Sequence, residues 1–306
     1  MLAGHHAVRI ASQWPDGPAC AHPQTDGVLL ALHARRSASS IQAWARERGA
    51  QGLAVVLTGT DLYQDIAVDP QAQASLEVAG ALVVLQALGV AQVPPAVRSK
   101  TRVIHQSSTA WQPLAKGRRQ LRVVMVGHLR EVKSPQTLFE AALLLAGRRD
   151  IRIDHIGDAE SSWAERARAT QAAAPGYRWL GPLPHALARR AIQRAHVLVH
   201  TSAMEGGAHV IMEALRSGTP VLASRVDGNV GMLGADYAGY FPHGDAAALA
   251  QRLERCRDEQ REPPQDPPGT LLAQLWRQCE LRAPLFAPEA EQAALLRLIA
   301  ELQDTA

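Results

Sequence analysis

The chain has 306 residues, 47% of them apolar and 20% charged, with a formal net charge of +3. That length predicts about two domains of ordinary size, and the apolar content is enough to bury a core in each. A disordered, collagen-like or disulfide-stapled chain is excluded. No uninterrupted apolar run reaches the roughly 18–20 residues needed to cross a bilayer. The start, Met1-Leu2-Ala3-Gly4-His5-His6, does not read as a secretory signal. The three cysteines, Cys20, Cys256 and Cys279, are too scattered for a CxxC metal site and fit a reducing cytoplasm. Only three lysines occur, Lys100, Lys116 and Lys133, so the positive charge is nearly all arginine. No basic block or basic–aromatic stripe stands out, so nucleic acid is not an expected partner.

In chain order, short apolar runs predict strands at Val28–Leu32, Leu53–Leu57, Leu82–Leu85, Arg102–His105, Leu121–Val126, Ile151–Ile156, Arg178–Leu180, Val197–His200, Pro220–Ala223 and Gly239–Phe241. Helical periods fall between most of them, at Ser39–Arg48, Pro135–Leu145, Trp163–Ala173, Pro184–Ala195 and His209–Ser217. This alternation predicts α/β architecture: two Rossmann-like, doubly wound parallel-sheet domains facing a cleft. The polar stretch Ser107–Arg119 divides them, and a Pro-rich stretch, Arg261–Gly269, precedes a last helical segment. The expected domains are 1–112, 113–262, and a segment 263–306 packing back toward the first domain.

In such folds ligands bind beyond the carboxyl ends of the strands. The residues after each predicted strand are therefore the candidates. After Val197–His200 comes Ser202-Ala203-Met204-Glu205-Gly206-Gly207-Ala208-His209, with Glu213 further on. Gly206 and Gly207 permit close backbone approach, and a helix starting near Ala208 offers free N–H groups to an anion such as a diphosphate. A carboxylate in such a place suits hydroxyls of a sugar or ribose rather than the phosphates. A turn glycine pair with one solvated and one salt-bridged glutamate is the plain structural alternative.

This segment resembles the Glu-x7-Glu motif of the retaining family-4 glycosyltransferases, which have the GT-B fold. The resemblance implies that Glu213 grips the nucleotide ribose and that Glu205 lies near the donor sugar. Gly218-Thr219-Pro220-Val221-Leu222-Ala223-Ser224 is similar to a further strand of that family. Gly127-His128-Leu129-Arg130-Glu131-Val132-Lys133 resembles its phosphate loop, with His128 where the family has Arg; Arg130 and Lys133 are the implied diphosphate ligands. Gly206, Gly207, Ala208 and His209, where Asn is expected, complete the implied donor site. So do Asn229 and Gly231 of Asp227-Gly228-Asn229-Val230-Gly231, whose counterpart in that family closes over the donor sugar and phosphates; a structural turn is the plain alternative. Longer strings, among them Ala31–Ser37, Leu57–Tyr63, Ser224–Gly234 and Arg282–Phe286, resemble a narrow subfamily, the selenosugar synthases of selenoneine biosynthesis. The resemblance implies transfer of a hexose, typically N-acetylglucosamine, from a UDP-sugar to selenophosphate, with no metal and no cofactor.

The first-half loops supply His33, Arg35, Arg36, Thr58, Gly59, Thr60 and His105. Cations and hydroxyls of this kind suit a small phosphate-like acceptor. An ordinary sugar or lipid acceptor would instead call for an exposed aromatic face, for which only Trp14, Trp44 and Tyr63 offer themselves. Asp61 and Asp65 form no DxD sequence. Finally, Leu2–Ile10 resembles the end of a first helix and a second strand. The resemblance therefore implies that about 30 residues of a first βα unit are missing, which makes an inactive UDP-sugar-binding remnant a further reading.

Overall fold

The structure is a computed structural model that describes residues 1–16, 26–261 and 269–304. Cys20 and residues 262–268 of the Pro-rich stretch lie outside the described residues. The chain forms two units: Met1–Ser107, Glu205–Gly207 and Pro288–Ala306 make the first, and Ser108–Met204 with Ala208–Ala287 the second. Among the described residues no helix is long and apolar enough to cross a membrane.

The first unit runs β1 (Leu29–Leu32), α1 (Ala38–Arg48), β2 (Leu53–Leu57), a π-turn at Asp61–Asp65, α2 (Ile66–Val68), α3 (Pro70–Val78), β3 (Ala81–Val84), α4 (Gly89–Gln92) and β4 (Thr101–Val103). Local chemistry sets the helix ends. Asp69 caps α3, its side chain accepting from the Gln71 and Ala72 amides, with Pro70 in the first turn where no N–H is needed. The strands pair in parallel in the order β1-β2-β3-β4. Alternate side chains face opposite layers, as the pleat demands. Leu53, Val55, Leu57, Leu82 and Val84 join Trp14 and Trp44 in one core, while Ala54, Ala81 and Val83 face another.

The second unit runs β5 (Leu121–Val126), α5 (Pro135–Leu144), β6 (Ile151–Ile156), α6 (Ser161–Ala173), β7 (Tyr177–Gly181), α7 (His185–Arg194), β8 (Val197–His200), α8 (His209–Leu215), β9 (Val221–Ser224), α9 (Asp227–Leu233), β10 (Tyr240–Phe241), α10 (Ala246–Arg261) and α11 (Leu271–Arg282). Its sheet is parallel with the order β10-β9-β8-β5-β6-β7. The winding reverses between β5 and β8, where Val123 pairs with Val197 and Val124 with Leu198. The last helix, α12 (Pro288–Asp304), belongs to the first unit, and its Leu298 and Leu302 pack in the core with Ala54 and Val83.

Two expectations and one structural alternative need correction. Residues 1–16 form turns and bends with no strand or helix. Ile10 is 96% exposed, so it has no partner layer to make a strand worthwhile. The strand expected at Arg102–His105 ends at Val103, so His105 lies beyond it, half-buried. Asp227–Gly231 is not a turn but the start of α9, with an acidic residue in its first turn and Gly234 at φ 96° closing it.

Candidate active site

The loops that follow β5 and β8 sit side by side because the sheet reverses there. A reversal sends neighbouring connections to opposite faces and leaves a crevice at the strand ends. Gly127–Lys133 fills one side. It is stitched down by the Gly127 N–H to the Ile156 carbonyl (2.9 Å) and the Leu129 N–H to the Asp158 carbonyl (2.8 Å). Gly157 backs onto it so closely that a Cβ there would stand 1.9 Å from the Gly127 oxygen. The β8 loop is tied to the same segment. The Thr201 hydroxyl donates to the Lys133 carbonyl (2.6 Å), and the Ala203 N–H donates to the Val132 carbonyl (2.9 Å). His128 and Arg130 are exposed, and Lys133 is half-buried.

Helix α8 carries the other expected donor residues. Ala208 caps it without a side-chain bond, its own N–H lying 3.1 Å from the Met232 sulfur. Glu213 is 3% exposed, yet its carboxylate is met by two exposed imidazoles. His185 Nε2, at the start of α7, is 2.5 Å from Glu213 Oε1, and His209 Nδ1, one turn back on α8, is 3.5 Å from it. Burial pushes the Glu213 carboxyl up, but the bonds from His209 and His185 outweigh it and hold it below its ordinary value. His185 was not among the sequence candidates. Nothing local marks it, since it follows Pro184 on a different helix from its partner.

Asn229 is fully buried, and its amide donates to the Ser224 carbonyl (2.9 Å) and hydroxyl (3.1 Å). The Gly231 carbonyl accepts from Arg282 (3.1 Å), which also holds the Met232 carbonyl (2.9 Å). Both residues thus shape α9 from inside. Glu205 is buried at 7% exposure and, with Gly206 and Gly207, belongs to the first unit. There Gly206 lies against Gly59, and a Cβ on it would meet the Gly59 nitrogen at 2.4 Å.

The first-unit candidates are arranged differently. His33 sits just past β1 with φ 77° and is 6% exposed. Its Nδ1 is 2.6 Å from Asp61 Oδ1, and its Nε2 is 3.7 Å from Asp65 Oδ2, which Arg35 Nε also approaches at 3.2 Å. Asp61 is fully buried and accepts from the Thr58 N–H (3.2 Å). Burial raises its carboxyl above the ordinary range despite amide bonds from Thr58, Ala34 and Arg35. The expected cationic pocket is therefore half-spent: His33 and Arg35 face carboxylates of their own chain. Arg36 stays exposed, and Thr58, Gly59 and Thr60 are half-buried. Trp14 and Trp44 offer no acceptor face, since they stack in the core with centroids 4.8 Å apart.

Comparisons with known proteins follow the same lines. No curated protein sequence matches the chain. Among solved structures it is similar to sucrose-phosphate synthase from Thermosynechococcus elongatus (TM-score 0.70, 20% identity, 92% of this chain and 74% of that one). It is also similar to Anabaena HepE in complex with UDP and glucose (TM-score 0.65, 15% identity, 89% and 78%). A third similar structure is S. aureus TarM, as a G117R mutant in complex with Fondaparinux, alpha-GlcNAc-glycerol and UDP (TM-score 0.64, 14% identity, 80% and 50%). The chain thus spans about half the length of the TarM structure. At these identities the likeness is one of fold: two parallel-sheet α/β units of the GT-B type. The family described as glycosyl transferases group 1 matches residues 109–266, half of the chain, and the chain belongs to that family.

Proposed function

We propose that this chain is a glycosyltransferase that moves a hexosyl group, N-acetylglucosamine first among candidates, from a UDP-sugar to selenophosphate. The observation that carries the donor half is the reversal between β5 and β8, which brings the basic loop Gly127–Lys133 beside the β8 loop. Arg130 and Lys133 neutralise the diphosphate, with the Gly127 and His128 backbone beside them, and so stabilise charge building on the UDP leaving group. Glu213, kept ionised, accepts from the ribose hydroxyls. Glu205 acts near the donor sugar, Gly206, Gly207, Ala208 and His209 are the further proposed donor ligands, and Asn229 and Gly231 shape α9 from inside. In the reaction the selenium lone pair forms the bond to the anomeric carbon. The carbon–oxygen bond to the β-phosphate breaks, and UDP leaves with its electron pair.

The selenophosphate acceptor rests on the sequence strings alone. Arg36, Thr58, Gly59, Thr60 and His105 are the residues proposed to hold it, with His33 and Arg35 positioned by Asp61 and Asp65. The same two carboxylates favour a second reading, a neutral hydroxyl acceptor, because they cancel cationic charge an anion would need. Incubation with UDP-N-acetylglucosamine, with and without selenophosphate, separates the two. UDP release that depends on selenophosphate, with a selenium-bearing hexose as product, is the expected result. UDP release that requires a sugar acceptor and ignores selenophosphate overturns it.

A further inference from the structure

The imidazoles of His185 and His209 and the carboxylate of Glu213 lie in the second unit with their ligand atoms all within 4.8 Å of one another. We propose that these three side chains form a binding site for a divalent transition-metal ion of the zinc class. Two histidines and one glutamate are a donor set that zinc accepts as three protein ligands, with a fourth position open to water. His209 and Glu213 are four apart on α8, so both project from one helix face. His185 approaches from the start of α7, its ring centroid 6.5 Å from that of His209.

The spacing suits a metal with a small adjustment. Donors on a tetrahedral ion at about 2.0–2.1 Å stand about 3.3 Å apart. The His209–Glu213 pair is at 3.5 Å, and the His185–Glu213 pair is at 2.5 Å. The His185 side chain is 70% exposed and free to swing outward by that difference, whereas Glu213 is held at 3%. Exposed imidazoles over a buried carboxylate also give an ion a direct path from solvent. Arg189, one turn beyond His185, does not fill the site: its guanidinium donates to the Thr109 hydroxyl (2.8 Å) and the Thr109 carbonyl. The other three-residue cluster, His33, Asp61 and Asp65, is buried and Asp65 already meets the Arg35 guanidinium, so it is an ion-pair network instead.

Because Glu213 is also the proposed ribose ligand, and here the inference rests on that functional reading, zinc and the nucleotide compete. The ion is then an inhibitor of donor binding, not a cofactor. The test is calorimetric titration of the full chain with Zn2+, with Co2+ as the optical probe of coordination. One equivalent is expected to bind. His185→Ala and His209→Ala are each expected to weaken binding at least about tenfold, with unchanged circular dichroism because both side chains are exposed. His5→Ala/His6→Ala, which removes imidazoles remote in sequence, is expected to bind as the parent does. Equal zinc affinity in parent, His185→Ala and His209→Ala overturns the site, as does loss of binding only in the His5/His6 variant. UDP titrations with and without zinc separate the two claims. Weaker UDP binding in zinc supports competition, and unchanged UDP affinity overturns it. No UDP binding even without metal overturns the functional reading while the zinc titration still decides the site.

Discussion

The strand ends of the two units use ionisable residues in opposite ways. In the second unit the sheet reverses between β5 and β8, and Glu213 on α8 meets the exposed imidazoles of His185 and His209. In the first unit the strands run consecutively, and the loops after β1 and β2 close on each other. There buried His33 and exposed Arg35 face the buried carboxylates of Asp61 and Asp65. A charge is left for a ligand where the backbone keeps its neighbours away, and it becomes structural where the loops converge.

Four measurements test that contrast, in descending order of expected size. His33 of the first unit and His155 of the second are both buried, but they differ in partner. His155 Nδ1 is 2.9 Å from the Tyr177 hydroxyl, with no carboxylate beside it among the described residues, and burial pushes its imidazole down to about 3. The unfolded chain therefore takes up that proton first. Stability is full above the ordinary imidazole range and falls as pH drops from about 6.5 toward 3, by on the order of 4 kcal/mol. Denaturant melts across that range should show the loss, and His155→Gln should flatten it. An identical slope in the variant would place the acid sensitivity elsewhere.

The Asp61 network should behave as structure. Asp61→Ala strands the Thr58 amide and the His33 ring, so it should cost about 3 kcal/mol of stability and leave UDP affinity unchanged. A variant with parental stability would mean that Asp61 is held for a ligand after all. Glu213→Gln should do the reverse. Losing charge-assisted bonds of about 1.5–3 kcal/mol lowers UDP affinity about 10- to 100-fold, with little change in melting temperature. Parental UDP binding would sink the ribose assignment. The smallest effect is expected at Lys133→Ala, a half-exposed charge worth about 1 kcal/mol to UDP binding. That loss should fade in high salt; a salt-independent loss would point to loop collapse rather than charge.

Much of this was legible in the residues. The ten apolar runs became ten strands, most of them within a residue or two of the predicted ends, because buried parallel strands are continuous apolar segments. The motifs single out the loop Gly127–Lys133 and the pair Glu205 and Glu213; the structure puts that loop after β5 and Glu213 on α8. His185 was not legible, because its partner lies 28 positions away on another helix. Equally hidden in the sequence were the Asn229 amide's bond to Ser224 and the Gly231 carbonyl's bond from Arg282. Spacing cannot show which way a short buried amide turns.

The alternation of strand and helix, the start of α5 at Pro135, and the basic, glycine-bearing loops at strand ends follow from the residues alone. Each is a local property, set by side-chain period, backbone sterics and caps within a few residues. Packing alone settles where the sheet reverses, which residues cover Glu213, and that His33 and Arg35 meet Asp61 and Asp65. Those outcomes depend on strand order and on pairs brought together by packing, and a linear pattern carries no record of which distant charge will arrive beside it.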